Sequence, residues 1–171
     1  LYSFIFPSQY FRLTAMHLHD RFAAFLSASE IIEATPALLN DQRRRFTSSP
    51  DIVLQPNSVE SVQKIMRFCF ENRIRVTPQG GNTGLCGATV TTEGVLLNLS
   101  KLNRIRDINL ADNSMTVEAG VILQNAQKAA DKAGRLFPLS LASEGSCQIG
   151  GNIACNAGGL NVLRYGSMRD L

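Results

Sequence analysis

The sequence predicts an α+β domain built in layers, and three observations lead to this class. Short apolar runs alternate with segments whose apolar residues recur at helix spacing. The predicted order of elements is β-α-β-β-β-β-α, which is typical of layered α+β domains. Of the 171 residues, 44% are hydrophobic and 18% are charged, a composition that indicates a globular chain and excludes a disordered one.

The first two elements are a helix and a strand. Segment 17–32 predicts an amphipathic helix because its apolar residues fall on one helical face. These residues are Leu18, Phe22, Phe25 and Leu26. Residues 51–55 form an apolar run that stops before Pro56, and they predict a strand.

A second helix is expected to begin after Asn57. This residue is a favoured N-cap, and Glu60 stands three positions later, as in a capping box. The apolar residues expected on the buried face are Val59, Val62, Ile65, Met66, Cys69 and Phe70. Residues 73–77 then predict a strand that leads into a glycine-rich stretch.

The later elements follow the same reasoning. Residues 94–99 predict a strand, and 105–109 with 115–119 flank a polar turn and predict a hairpin. Residues 122–133 predict a helix that ends at Gly134, a residue type favoured just past a helix end. Beyond this helix the chain is expected to be rich in loops.

Charge and cysteine content exclude several partners. The net charge is +3, and residues 43–45 are the only run of basic residues, so we expect no nucleic-acid partner. No apolar stretch reaches the roughly 18 residues of a membrane helix. The four cysteines form no C-x-x-C pair and there are two histidines, so we expect no metal site. Reduced thiols fit a cytoplasmic or organelle-matrix protein.

Two glycine-rich stretches carry the predicted chemistry. The first, residues 78–89, has glycines at 80, 81, 84 and 87, and the second covers residues 143–159. Glycine permits close approach of a backbone to a ligand, and successive N–H groups in such turns bind anions. The first stretch lacks the G-x-G-x-x-G fingerprint, and the second has Gly151-Asn152 where a Walker loop needs Lys-Ser/Thr. Together the stretches predict one extended ligand with a pyrophosphate.

Several separated motifs, in order along the chain, carry a resemblance to a known family. They are Pro78-Gln79-Gly80-Gly81-Asn82-Thr83-Gly84-Leu85, Ser146-Cys147-Gln148-Ile149-Gly150-Gly151-Asn152-Ile153-Ala154, Asn156-Ala157-Gly158-Gly159-Leu160 and Arg164-Tyr165-Gly166-Ser167. From about residue 41 onwards the chain resembles the PCMH-type FAD-binding domain of the vanillyl-alcohol-oxidase superfamily. Within it, the chain is most similar to the FAD-linked D-2-hydroxyacid dehydrogenases, the D-2-hydroxyglutarate and D-lactate dehydrogenase group.

The resemblance implies a domain organisation. The fold would be the N-terminal part of a PCMH-type domain, with two α/β subdomains and FAD between them. Residues 1–40 would be an N-terminal extension and helix, and residues 41–171 the FAD-binding domain. We expect this domain to be incomplete at its C-terminus, with the substrate domain absent.

The resemblance also implies which residues contact FAD. Pro78 would contact the cofactor, and those at the pyrophosphate would be Gly80, Gly81, Asn82, Thr83, Gly84 and Leu85. Those along the rest of the cofactor would be Gly145, Ser146, Ile149, Gly150, Gly151, Asn152, Asn156, Gly158 and Gly159. Pro138 and Leu139 would lie on the approach to the flavin, and Tyr165 would make a packing or ribityl contact.

Two cysteines bear on how the cofactor is held. Cys155 departs from the Thr or similar small residue expected between Ala154 and Asn156, and this puts that contact in doubt. Some superfamily members attach the flavin covalently through His or Cys. No histidine lies near either glycine-rich stretch, so we expect noncovalent FAD, with Cys86 packed as a small apolar side chain.

The function implied by the resemblance is oxidation of a D-2-hydroxy acid to the 2-oxo acid, with hydride transfer to flavin N5. A separate electron acceptor would then reoxidise the flavin, and an oligomer is possible. The family's catalytic groups lie in the C-terminal half, so no catalytic residue is nominated in this chain. Two alternatives stay open: another superfamily flavoenzyme of the sugar-lactone oxidase or enolpyruvyl reductase type, or a non-catalytic FAD-binding fragment.

Overall fold

Three parallel strands form the sheet from which the first glycine-rich stretch emerges. The computed structural model describes residues 15–171. Strands β2 (Ile52–Leu54), β3 (Val76–Gln79) and β4 (Val95–Asn98) form a sheet with β4 in the middle, and β1 (Ile31–Ile32) joins β2 antiparallel at the other edge. Every residue of β4 is buried, as expected for a central parallel strand covered on both faces.

Helices α1 (Ala15–Ala23) and α3 (Val59–Glu71) pack against this sheet. The core that they share with the strands contains Leu18, Phe22, Leu26, Ile52, Leu54, Ile65, Cys69, Val95 and Leu97. The rings of Phe22 and Phe68 meet edge to face at a centroid distance of 4.9 Å. The predicted boundary at residue 40 stays a prediction, although α1 lies before it and shares a core with strands beyond it.

The predicted helix 17–32 is wrong in its second half. Helix α1 ends at Ala23, a 3₁₀ turn covers Ala28–Glu30, and the chain then forms β1. The buried Glu30 carboxylate accepts hydrogen bonds from the N–H of Ser27 at 3.0 Å and the N–H of Asn57 at 3.1 Å. This buried carboxylate needs partners from two segments, and that requirement overrides the helical periodicity. A short helix α2 (Pro36–Leu39) follows.

Helix α3 begins one residue later than predicted. Its N-cap is Ser58, whose side chain accepts the N–H of Ser61 at 3.1 Å. Ile65 and Cys69 are buried as expected. Val59, Met66 and Phe70 were expected inward but are 38%, 45% and 86% exposed. The predicted apolar face was too wide, and Phe68 fills the position at the core that Phe70 was expected to fill.

The second half of the chain builds its own core. Strands β5 (Ile105–Asn109) and β6 (Ser114–Val117) form the predicted hairpin, and α4 (Leu123–Lys132) is followed by Gly134 in the left-handed region with φ 68°. The core contains Val121, Leu123, Ala126, Leu139, Cys147 and Ile149. Two helices in the region expected to be loops, α5 (Ile149–Ala154) and α6 (Val162–Tyr165), complete this half.

The architecture confirms the α+β class. Each half has a core of its own, and the two glycine-rich stretches meet at the junction between the halves. Between residues 15 and 171, no helix is both long enough and apolar enough to cross a bilayer.

Candidate cofactor site

The two glycine-rich stretches are in direct backbone contact. A Cβ built on Gly81 would lie 2.1 Å from the carbonyl oxygen of Ser146 and 3.3 Å from Cα of Cys147. A Cβ on Gly80 would lie 3.2 Å from Oε1 of Gln148. Any side chain at position 81 would therefore separate the two stretches. The end of β3 thus delivers the first stretch against the turn that precedes α5.

The first stretch offers a run of unused hydrogen-bond donors. Within the described part of the chain, no backbone N–H of residues 80–88 donates a hydrogen bond to the protein, whereas the N–H of Val90 binds the carbonyl of Gly87 at 3.0 Å. Buried backbone N–H groups are nearly always paired in folded proteins, but residues 80–88 are half-buried or exposed, so their N–H groups are accessible to a ligand. A run of free donors in a glycine-rich turn is the arrangement that binds phosphate oxygens.

Asn82 holds this stretch in shape. Its backbone is left-handed with φ 53°, and its Nδ2 donates to the carbonyls of Asn40 at 2.7 Å and Ala37 at 3.1 Å. Its Oδ1 accepts the hydroxyl of Thr89 at 2.9 Å. With both ends of its amide occupied, the Asn82 side chain positions the stretch and leaves its backbone N–H without a partner in the protein.

Gly84 and two glycines of the second stretch face open space. A Cβ on Gly84, Gly145 or Gly151 would meet nothing within 4 Å. The left-handed glycine of this stretch is Gly87, with φ 72°. A side chain at these three positions would project into open space.

Other residues of the second stretch serve packing. Gly150 would place a Cβ 2.7 Å from Cβ of Ala119, and its N–H donates to the carbonyl of Ala119 at 2.8 Å. Ile149 is 3% exposed, and Asn152 is 4% exposed with its Nδ2 3.7 Å from Sγ of Cys147. These residues fix α5 against the second core, and their backbone lies beside the junction.

A second backbone contact brings Pro138 next to the end of the glycine-rich region. A Cβ on Gly159 would lie 2.1 Å from the carbonyl of Ser140, and Nδ2 of Asn161 donates to the carbonyl of Pro138 at 2.9 Å. Leu139 is 3% exposed, and its side chain belongs to the second core.

Three more predicted site residues have structural partners or are open to solvent. Asn156 is left-handed with φ 48°, and its Oδ1 accepts the hydroxyl of Ser167 at 3.0 Å and the N–H of Arg169 at 2.9 Å. The guanidinium of Arg164 lies 5.2 Å from the ring centroid of Tyr165. Pro78 is exposed within β3.

A basic turn borders the first stretch. A pocket of about 400 Å³ is lined by residues that include Asp41, Arg44, Gly81 and Asn82. Hydrogen bonds from the N–H groups of Phe46 and Arg45 outweigh burial and hold the pKa of Asp41 below its usual value. The ionised carboxylate therefore fixes the turn that brings Arg44 to this pocket.

The cysteines differ from expectation. Cys86 is exposed, because it lies at the solvent-facing tip of the first stretch, so its predicted packing is wrong. Cys155 is also exposed, and its Sγ lies 3.0 Å from the carbonyl of Gly151. Residues 15–171 contain no group of three or more His, Cys, Asp or Glu that could hold a metal ion.

The sequence analysis did not name Gln148 among the residues expected at the cofactor. This residue is 8% exposed, and its Oε1 is the one enclosed side-chain oxygen or nitrogen in the described chain that lacks a partner. It lies against Gly80, where the two stretches meet. The backbone N–H groups of residues 80–88, which have no partner in the protein, fit the pyrophosphate part of FAD.

Comparison with known proteins agrees with this geometry. The FAD binding domain family matches residues 50–171. D-2-hydroxyglutarate dehydrogenase of Xanthomonas citri pv. viticola is 44% identical over 131 residues, which are 76% of this chain and 28% of that protein. The D-2-hydroxyglutarate–pyruvate transhydrogenase of Saccharomyces cerevisiae is 37% identical over 153 residues, 86% of this chain and 31% of that protein. The chain thus spans under a third of the length of these relatives.

Solved structures share the fold at lower identity. An alkyldihydroxyacetonephosphate synthase superposes with a TM-score of 0.80 at 17% identity, covering 91% of this chain and 35% of that one. The 6-hydroxy-D-nicotine oxidase of Arthrobacter nicotinovorans superposes with a TM-score of 0.69 at 23% identity, covering 82% of this chain and 31% of that one. The chain belongs to the PCMH-type FAD-binding domain family, and FAD is its cofactor.

Proposed function

We propose that this chain forms the FAD-binding part of a flavin-dependent dehydrogenase that oxidises a D-2-hydroxy acid to the 2-oxo acid. The observation that carries the proposal is the contact between Gly81 and Ser146, which joins the free N–H groups of residues 80–88 to the second glycine-rich stretch. This junction supports binding of a dinucleotide by its pyrophosphate.

The substrate class is supported by named relatives. Proteins called D-2-hydroxyglutarate dehydrogenase from Xanthomonas citri pv. viticola and Danio rerio are 44% and 39% identical to the aligned part of this chain. D-2-hydroxyglutarate is therefore the first substrate to test, and D-lactate the second.

FAD and the residues of this chain would have separate roles in the reaction. Bound FAD would supply the acceptor for the hydride that leaves the substrate Cα. The chain would hold the pyrophosphate through backbone N–H groups of residues 80–85, and Asn82 would keep that backbone in place through its contacts with Asn40 and Thr89. Gly84, Gly145 and Gly151 would leave room for the ligand. Contacts of Pro138 and Tyr165 with the flavin half of the cofactor are part of the same proposal.

Three further features belong to the proposal. A separate electron acceptor would reoxidise the flavin, and an oligomer is possible. A bacterial cytoplasm or an organelle matrix is the proposed location, supported by relatives whose names include "mitochondrial".

A chimera tests the activity. The aligned segment of the Xanthomonas relative is replaced by the matching segment of this chain, and dye reduction is measured with D- and L-2-hydroxyglutarate and with D-lactate. The proposal predicts FAD-loaded protein and saturable reduction that is specific for the D-isomer. A chimera that retains FAD and reduces no dye with either D-hydroxy acid would contradict it.

A further inference from the structure

One face of helix α3 carries apolar side chains that nothing else in the described part of the chain covers. Val59, Met66 and Phe70 are 38%, 45% and 86% exposed, and neither of the two cores includes them. The inward side of α3 differs, since Phe68 meets Phe22 there edge to face. Large apolar side chains that line up on one exposed helix face indicate an interaction surface.

The spacing of these residues suits contact with another helix. Gln63 is exposed between them, and the four residues follow one another at intervals of four, three and four, the d-a-d-a order of a coiled-coil heptad. We call Val59, Gln63, Met66 and Phe70 the α3 stripe; it is about 17 Å long at a rise of about 1.5 Å per residue. A polar residue at one a position, here Gln63, fixes the register of such a contact at a cost in affinity.

Two charged residues border the α3 stripe. Glu60 and Arg67 take its e positions and are exposed, and neither side chain forms a hydrogen bond or ion pair with residues 15–171. In a parallel pair of helices, an e position faces a g position of the other helix. The g positions here are Val62 and Cys69, which carry no charge, so parallel contact between two copies would leave both charges unpaired.

An antiparallel contact between two copies uses both charges. The stripe residues that meet across the copies are then Gln63 with Met66 and Val59 with Phe70. Glu60 of one copy and Arg67 of the other fall in the same gap between these two layers. Because the contact has twofold symmetry, the pair occurs twice, and the face is complementary to itself in shape and in charge.

We propose that the α3 stripe is the contact surface of a homodimer, in which the α3 helices pack antiparallel and Glu60 of each copy pairs with Arg67 of the other. This gives the proposed oligomer a defined interface and does not depend on the cofactor site. Phe70 lies where the chain leaves α3 for β3, whereas the first glycine-rich stretch follows the other end of β3. The contact is small, so we expect a weak dimer with a dissociation constant on the order of 100 μM.

Analytical ultracentrifugation of the chain tests the surface. At up to about 1 mM, roughly ten times the expected dissociation constant, wild type should show a monomer–dimer equilibrium. Phe70→Ser removes two buried rings per dimer and should weaken association at least about a hundredfold. Leu163→Ser is the matched control, because Leu163 is fully exposed on α6, away from the stripe, and it should leave the dimer unchanged. A monomer at every concentration, or equal loss in both variants, would overturn the proposal.

Charge exchange tests the antiparallel pairing. Glu60→Arg and Arg67→Glu each place like charges together at both symmetric positions, so each should weaken the dimer about tenfold, and less in high salt. Mixing the two variants makes both positions complementary again, so the mixture should associate with about wild-type affinity. A mixture that associates no better than its two components would overturn the proposed arrangement.

The chimera with the Xanthomonas relative distinguishes a second copy from another part of a longer chain as the occupant. At a protein concentration far below the dissociation constant, Phe70→Ser should leave the Tm of the chimera unchanged, because the ring is exposed in the monomer. A Tm lowered by several degrees at that dilution would show that the rest of the longer chain covers the stripe, and it would overturn the proposal. ADP affinity, measured on the same samples, reports on the cofactor site separately and should be equal in all variants.

Discussion

The carbonyl oxygen of Ser146 occupies the place where a side chain on residue 81 would begin. A Cβ on Gly81 would lie 2.1 Å from that oxygen, which is far inside any allowed contact. This single contact joins two stretches that are far apart in sequence, and it is the reason why residue 81 has to be glycine. Gly84, three residues later, meets nothing within 4 Å. The two glycines therefore differ: packing requires Gly81, whereas Gly84 faces open space.

We predict that Gly81→Ala and Gly84→Val both abolish FAD binding but differ in stability. Gly81→Ala has to push the stretches apart, and we expect it to lower the free energy of unfolding by about 3 kcal/mol, the upper end for overpacking. Gly84→Val projects into open space and should leave Tm near wild type. Thermal unfolding and FAD titration on the same samples separate the effects. Wild-type FAD affinity in Gly84→Val would show that this stretch is not the phosphate site.

Gly134→Ala is the control for glycine removal in general. Gly134 follows α4 with φ 68°, and a Cβ there would meet nothing within 4 Å. Alanine is strained at this φ, so we expect a loss of about 1 kcal/mol of stability. FAD affinity should stay unchanged, and a large loss would mean that α4 contributes to the site in a way the geometry does not indicate.

The bound flavin should be FAD that is not attached covalently. No histidine lies near the junction, since His17 and His19 are both on α1. Cys86 is exposed at the tip of the first stretch, so it is the residue to exclude as a covalent link. Acid precipitation should release the yellow colour into the supernatant, and chromatography should identify it as FAD. Flavin that stays on the pellet of wild type but is released from Cys86→Ser would identify a thioether at Cys86.

Stability should fall in acid because of two buried carboxylates. The N–H of Arg104, followed by the guanidinium groups of Arg104 and Arg106, lowers the pKa of Glu118 to about 2 from 4.5. Burial alone would raise the pKa of Glu30, but hydrogen bonds from Ser61, Ser27 and Asn57 lower it to about 2 from 4.5. A folded-state pKa below the unfolded one gives stability that is complete above about pH 4.5 and is lost as pH falls toward 2.

Urea unfolding at several pH values checks this account. Glu118→Gln should flatten the dependence of the unfolding free energy on pH between 4.5 and 2, because it removes one of the two titrating groups. Glu71→Gln, at an exposed position on α3, is the matched control. If the unfolding free energies of wild type and Glu118→Gln changed equally with pH between 4.5 and 2, the assigned role of Glu118 would be contradicted.

Local patterns predicted much of the fold. The hairpin of β5 and β6 and helix α4 with Gly134 follow from apolar spacing and turn chemistry that neighbours reinforce. Local patterns did not predict the end of α1, because it depends on the Glu30 carboxylate accepting the N–H of Asn57 from a distant segment. The exposed face of α3 was also misjudged, since apolar residues such as Phe70 do not reveal whether another surface covers them.

The sequence marked both stretches and assigned them to the cofactor, which stays a prediction, but it did not separate packing residues from residues that face open space. Glycine content marked both stretches, whereas the choice between packing at Gly150 and open space at Gly151 depends on Ala119, a residue from another part of the chain. Gln148 carries no pattern of its own in the sequence. That its Oε1 is enclosed without a partner is visible only in the tertiary structure.

The chain of 171 residues should show no dehydrogenase turnover by itself. The groups that would orient a hydroxy acid are expected in parts of the relatives that this chain does not match, and hydride transfer requires such positioning. Dye reduction by the FAD-supplemented chain with D-2-hydroxyglutarate or D-lactate should equal the blank without protein. Saturable reduction that is specific for the D-isomer would show that residues within this chain are sufficient for catalysis.

The most direct test of the central claim is a comparison of FAD, ADP and riboflavin binding to the wild-type chain by calorimetry. If the junction of Gly81 and Ser146 holds the pyrophosphate, FAD and ADP should bind, and riboflavin, which lacks phosphate, should bind far more weakly. Binding of FAD and ADP should also be lost together in Gly84→Val. Riboflavin binding as tight as FAD, or ADP binding unaffected by Gly84→Val, would contradict the account.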